Sequence, residues 1–209
     1  MVRYKVKSMC HQGYVRQNME DSAYPPCGFD GVIETPCAIA VADGVGGLPG
    51  GEVASGIAIR YVEHIISEKT FKEEVQKAHL DIQSTFPGSA TTLTVALLED
   101  GAITVYWIGD SYALAIYESG DYRLLTRPHV QPGTGYITRV LGMGVPQFDK
   151  VSIDAGGLYA LLLFTDGLTA HFSIPQIVQM FIDGKDLIEE TLLEGAIDNI
   201  ALVIAWPTK

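Results

Sequence analysis

Val41-Ala42-Asp43-Gly44-Val45-Gly46-Gly47 decides how the rest of this chain is read. An apolar run from Cys37 to Ala42 ends abruptly in one carboxylate, and three glycines follow within four residues. Gly51 to Lys69 then follows a helical pattern. A strand that delivers a lone Asp into a glycine-rich turn can present that carboxylate to a metal or a phosphate. The same pattern also serves as a plain Asp-Gly turn between strand and helix, so the other acidic turns must decide.

Four more places repeat the design. Glu20-Asp21 sits in a polar loop before a strand, Gly109-Asp110-Ser111 interrupts two strands, Thr165-Asp166-Gly167 ends the most apolar strand, and Asp198-Asn199 begins the last one. Strands of one sandwich bring their ends to a common rim, where several acids repel one another unless cations lie between them. Oxygen donors with no accompanying His or Cys select hard ions, magnesium or manganese rather than zinc. Two such ions sharing a carboxylate form a site for in-line attack of water on phosphorus. Arg16 is the natural phosphate partner, because its planar fork holds two phosphate oxygens and stays charged. As a bland surface residue it would instead pair with Glu20 at helical spacing.

The pattern between the turns gives the architecture. Met1 to Ser8 alternates polar and apolar residues as a half-buried strand, and 32–41 resumes a strand pattern after the turn-rich segment His11 to Asp30. After the 51–69 helix a second begins at Phe71, with Thr70 as N-cap and Glu73 completing a capping box. Glu99-Asp100-Gly101 and Glu118-Ser119-Gly120-Asp121 mark hairpins in a strand meander. Arg127 to Pro146 is loop-like, strands follow at Val151–Ile153 and Leu158–Thr165, and two short helices (175–182 and 185–193) precede a last strand, Ile200 to Trp206. Hairpins plus an early and a late helix pair predict an α+β fold, a four-layer αββα sandwich of two central antiparallel sheets, each covered by a pair of helices.

Composition narrows the function. The chain has 209 residues, 47% hydrophobic and 19% charged, enough for one domain with a sizeable core over 1–209. A net charge of −11 argues against nucleic acid or an anionic membrane as partner. Cys10, Cys27 and Cys37 form neither a disulfide framework nor a zinc pattern, and no apolar run is long enough to span a bilayer, so a soluble cytoplasmic protein is expected.

In order along nearly the whole chain, the acidic turns resemble the metal-dependent protein serine/threonine phosphatases of the protein phosphatase 2C family. Gly13-Tyr14-Val15-Arg16-Gln17-Asn18-Met19-Glu20-Asp21 resembles the family's opening Gly-x-x-Arg-x-x-Asn-x-Glu-Asp, and Asp43-Gly44-Val45-Gly46-Gly47 its Asp-Gly-x-Gly-Gly. Ala90-Thr91-Thr92-Leu93, Gly109-Asp110-Ser111, Arg139-Val140-Leu141-Gly142, Thr165-Asp166-Gly167-Leu168 and Asp198-Asn199-Ile200 resemble its remaining motifs. The resemblance implies that Asp43 bridges two manganese or magnesium ions. Glu20 and the Gly44 carbonyl complete one ion, Asp166 and Asp198 hold the other, and Asp110 with Asp166 binds a weaker third. Arg16 holds the substrate phosphate, and a water bridging the ions attacks phosphorus of phosphoserine or phosphothreonine directly. The partner implied is a protein phosphorylated by a serine/threonine kinase, met by a monomer. An alternative is hydrolysis of small phosphoesters, and a third reading is a non-catalytic module that binds phosphorylated partners.

Two departures stand out. Val45 occupies the place where many eukaryotic members have a His, as in bacterial-type members, so an imidazole acid is not expected. After Leu125-Thr126-Arg127-Pro128-His129, where Pro128 replaces an Asp, only Val130 to Thr138 stands in place of a long segment with a mobile flap. Nine residues form a turn but not a subdomain, so an open metal site is expected.

Overall fold

A computed structural model of the protein describes residues 1–208. Two antiparallel sheets stack face to face. The first has the order β3 (Asp30–Glu34), β1 (Arg3–His11), β11 (Ile200–Thr208), β10 (Leu158–Phe164), β7 (Tyr112–Tyr117), β8 (Tyr122–Leu124). The second has the order β2 (Asp21–Tyr24), β4 (Cys37–Asp43), β5 (Leu93–Glu99), β6 (Ala102–Ile108), β9 (Asp149–Asp154). Ile39, Val41, Val105, Leu161 and Val203 belong to the core between the sheets. Helices α1 (Gly51–Arg60) and α2 (Glu68–Thr85) close the outer face of the second sheet through Ile57, Phe71 and Ile82. Helices α3 (Ile174–Ile182) and α4 (Leu187–Leu193) close that of the first through Ile177 and Leu187. Central strands such as Leu158-Tyr159-Ala160-Leu161-Leu162-Leu163-Phe164 are apolar on both faces because both faces are covered. This is the expected αββα sandwich.

Four local expectations are corrected. The 51–69 helix ends at Arg60, a short 3-10 turn covers Val62–His64, and Ser67, not Thr70, caps α2. Val62 and Ile65 are buried in this broken form as they would be in a continuous helix, so periodicity alone does not reveal the break. Ser67 wins the cap because its hydroxyl accepts from the Thr70 N–H while Thr70 Oγ1 accepts from the Ser67 N–H, a reciprocal pair. The 32–41 strand is two, with Thr35-Pro36 between β3 and β4. Cys10 and Cys27 are joined in a disulfide, their Cα atoms 5.5 Å apart. The chain reversal through β2 returns residues 28–29 to β1, where Gly28 N–H donates to Ser8 O and Ser8 N–H to Phe29 O. A separation of 17 residues carries no sequence signature of that contact.

The registers bring the acidic turns to one rim. Asp21 at the start of β2 lies opposite Asp43 at the end of β4. Leu93, opening β5, pairs with Ile108, closing β6, just before Asp110. Phe164, closing β10, pairs with both Tyr112 and Leu202, which places Asp166 beside the β6–β7 turn and the start of β11.

Candidate metal and phosphate site

A cavity of about 480 Å³ at this rim is lined by Arg16, Glu20, Asp43, Gly44, Asp110, Asp166 and Asp198, which are all the residues expected there. Asp43 is held from below. Its N–H donates to Thr92 Oγ1 at 3.0 Å, and its carbonyl accepts from Thr92 N–H at 2.8 Å and Thr91 Oγ1 at 2.9 Å. The Thr-Thr pair therefore fixes the backbone that aims the carboxylate. Gly44 is required by close approach: a Cβ there would overlap the Gly51 backbone, with Gly51 Cα only 2.6 Å away. That contact seats the turn on the first residue of α1.

Residues 12–20 form no helix, so Arg16 and Glu20 are not helix neighbours. The segment is tied down by Asn199, buried at 3% exposure. Its Nδ2 donates to Gln12 O at 2.7 Å and Asn18 O at 3.0 Å, and its Oδ1 accepts from Glu20 N–H at 2.8 Å. Gln12 Nε2 donates in turn to the carbonyls of Arg16 and Gln17. Arg16 Nη2 donates to Asp198 Oδ2 at 2.7 Å, and Arg16 lies against the Gly46 backbone.

Asp110 is held through its neighbours. His129 Nδ1 accepts from Gly109 N–H at 3.1 Å, and Ser111 Oγ meets Thr92 Oγ1 at 2.9 Å. His129 Nε2 lies 3.2 Å from both Asp149 Oδ2 and Arg139 Nη1. Arg139 donates to the other Asp149 oxygen at 2.9 Å.

Two residues that the motifs contain, but to which the sequence assigns no role, matter here. Asn199 is one. The other is Asp21, which begins a strand rather than ending a loop. It is buried, accepts from Thr165 Oγ1 at 2.7 Å, and faces Asp43. Only the alternation Asp21-Ser22-Ala23-Tyr24 hinted at a strand, and four residues are too few to outweigh the surrounding turn formers.

The electrostatics call for cations. Burial first, and then the neighbouring carboxylates Asp21, Asp166, Asp110 and Asp198, raise Asp43 well above the usual carboxylate range. Burial pushes Asp21 to about 7 and Asp110 to about 6. Asp166 is raised by burial and by Asp198. Asp110 Oδ1 is buried with no hydrogen-bond partner. Among the described residues no three acid, His or Cys side chains stand at metal-ligand spacing, and Asp198 is paired with Arg16. The donor set nevertheless fits hard divalent ions: every donor is an oxygen, the carboxylates repel, and one buried oxygen lacks a partner.

Comparison with known proteins agrees. A family model described as protein phosphatase 2C matches residues 27–193. The serine/threonine protein phosphatase PstP of Mycobacterium tuberculosis is 27% identical over 98% of this chain. The chain spans 45% of that relative's length. A crystal structure of M. tuberculosis PstP superposes with a TM-score of 0.82 at 25% identity over 99% of each chain. The PstP catalytic domain in complex with two manganese ions gives 0.83 at 23% over 100% of each. The phosphatase Stp1 of Staphylococcus aureus gives 0.82 at 19%, over 100% of this chain and 96% of that one.

Proposed function

The chain belongs to the protein phosphatase 2C family, and from that premise we propose that it is a metal-dependent phosphoprotein phosphatase, acting on phosphoserine and phosphothreonine as one catalytic domain over 1–209. The observation that carries this reading is the cavity itself: five carboxylates from five separate turns, with one cation, Arg16, among the lining residues.

Asp43, Glu20, the Gly44 carbonyl, Asp166 and Asp198 would hold two manganese or magnesium ions, with Asp43 shared, and Asp110 with Asp166 would hold a weaker third. The fold shared with a relative solved with two manganese ions supports the choice of metal. Such ions, when bound, lower the pKa of a water and neutralise charge on the reacting phosphate. Arg16 holds the phosphate by its fork, oriented through Gln12 and Asn199. Thr91 and Thr92 keep Asp43 from shifting as charge moves. No histidine lines the cavity and Val45 follows the Asp-Gly pair, so the leaving oxygen takes its proton from water rather than from an imidazole.

The substrate is a protein phosphorylated by a serine/threonine kinase, met by a monomer without nucleic acid or membrane. The net charge of −11 supports that exclusion. No helix among the described residues is long and apolar enough to cross a membrane. With Cys10 and Cys27 paired, the cysteines no longer argue for the cytoplasm. That location rests on the substrate, since kinases work where ATP is.

The test is hydrolysis of a phosphothreonine peptide and of p-nitrophenyl phosphate with millimolar manganese. Activity abolished by chelator and by Asp43→Asn is expected. Turnover equal to a no-enzyme blank would overturn the reading.

A further inference from the structure

The cavity has two chemically different walls. One carries the acids and Arg16. The other is apolar: Val45 and Leu48 from the turn after β4, and Tyr136, Ile137, Val140 and Met143 from the short segment between β8 and β9. This segment is where an open site was expected, and it forms a wall instead.

The wall is fixed. Gln131 N–H donates to Tyr136 O at 2.8 Å and Thr138 N–H to His129 O at 2.7 Å, closing a small hairpin. Leu141 and Thr91 exchange backbone bonds of 2.8 and 3.0 Å, and Gly142 N–H donates to His79 Nδ1 at 3.1 Å. The hairpin tip nonetheless leaves Tyr136 73% exposed at the cavity, with Met143 at 44%. Tyr14 and Val15, 66% and 64% exposed, flank Arg16 in sequence. Large apolar side chains held in water beside a reactive site mark a contact surface.

From Pro128 to Phe148 the only basic side chains are His129 and Arg139, both engaged by Asp149, and no carboxylate is present. An acidic group next to a bound phosphate therefore finds no free cation in the cavity lining: Arg16 is taken by the phosphate, and the rest of the charge there is carboxylate. Resting on the phosphoprotein phosphatase reading above, we infer that Tyr136 determines substrate specificity. With Met143 it binds a bulky uncharged apolar side chain adjacent to the phosphorylated residue, and the site disfavours acidic neighbours. A tyrosine on an anchored turn suits this task, because it offers a large amphipathic surface and loses few rotamers on binding.

The test uses three phosphothreonine peptides that differ only in the two residues flanking the phosphothreonine: Phe, Ala or Asp. With manganese, kcat/KM is expected to be about tenfold higher for the Phe peptide than for the Ala peptide, expressed in KM, and lowest for the Asp peptide. Tyr136→Ala should bring the Phe-to-Ala ratio close to one, and Tyr136→Phe should keep it. Equal rates on the Phe and Ala peptides, or a ratio unchanged in Tyr136→Ala, would overturn the inference while leaving the phosphatase reading intact. No hydrolysis of any of the three would instead overturn the phosphatase reading, and this inference with it.

Discussion

The Arg16 guanidinium and the Asp198 carboxylate, 182 residues apart, form a hydrogen-bonded ion pair of 2.7 Å. One is the proposed phosphate clamp and the other a proposed metal ligand. Arg16 thus stands as a counterion on a carboxylate that a metal ion has to share. Its removal deletes a phosphate contact but also a competitor for Asp198. Arg16→Ala should raise KM for a phosphopeptide about tenfold, the lower end for a charge-assisted contact because the Arg is partly exposed. Manganese affinity, read by calorimetry, should equal or exceed that of the wild type. Loss of bound manganese in this variant would contradict the role given to Arg16.

The buried carboxylates make the metal-free protein sensitive to pH in an unusual direction. Asp21 is raised to about 7 and Asp110 to about 6, chiefly by burial, from an ordinary value of 3.8. Between about pH 4 and 7 the folded chain therefore holds protons that the unfolded chain has released, and stability falls as pH rises through that window. In chelator, Tm should be several degrees lower at pH 7.5 than at pH 5. Manganese should raise Tm more at pH 7.5, where the acids are ionised, than at pH 5. Asp21→Asn should flatten the metal-free slope, and a metal-free Tm that climbs from pH 5 to 7.5 would refute the account.

The sequence made the frame and the acids legible for physical reasons. Two-residue alternation and the Asp100-Gly101 hairpin are local, and an Asp that ends an apolar strand is visible without knowing where the strand goes. What stayed hidden depends on contacts far apart in the chain. Asp21 pairs with Asp43 only once β2 lies against β4, and Asn199 reaches Gln12 across 187 residues. The Cys10–Cys27 bond likewise follows from the packing of 28–29 on β1. For the hairpin around Tyr136 the sequence shows only its length, and length does not show that both of its ends are anchored.

Asn199 tests whether positioning matters as much as ligation. Its three side-chain hydrogen bonds hold Gln12, Asn18 and Glu20. Asn199→Ala leaves those backbone groups without their partner, costing about 2 kcal/mol of stability. Activity should fall by more than that loss of folded protein explains, because Glu20 and Arg16 both hang from the released segment. Restoration of wild-type kcat/KM once folded protein is counted would reduce Asn199 to a structural residue.

Two glycines of the turn that ends β4 should behave differently, and the contrast checks the geometry of the whole site. At Gly44 a Cβ would strike the backbone of Gly51, which no rotamer change can relieve. At Gly46 the nearest atom to a new Cβ is Arg16 Nη1, 3.3 Å away at the end of a flexible side chain. Gly44→Ala must therefore lift the turn off the start of α1, costing about 3 kcal/mol and displacing the Gly44 carbonyl. Gly46→Ala should melt near the wild-type temperature, keep its manganese and raise KM a few-fold by crowding Arg16. Thermal melts and manganese titrations of the two variants decide the matter: equal melting temperatures would mean that the turn does not sit on Gly51, and the placement of Asp43 would have to be rebuilt.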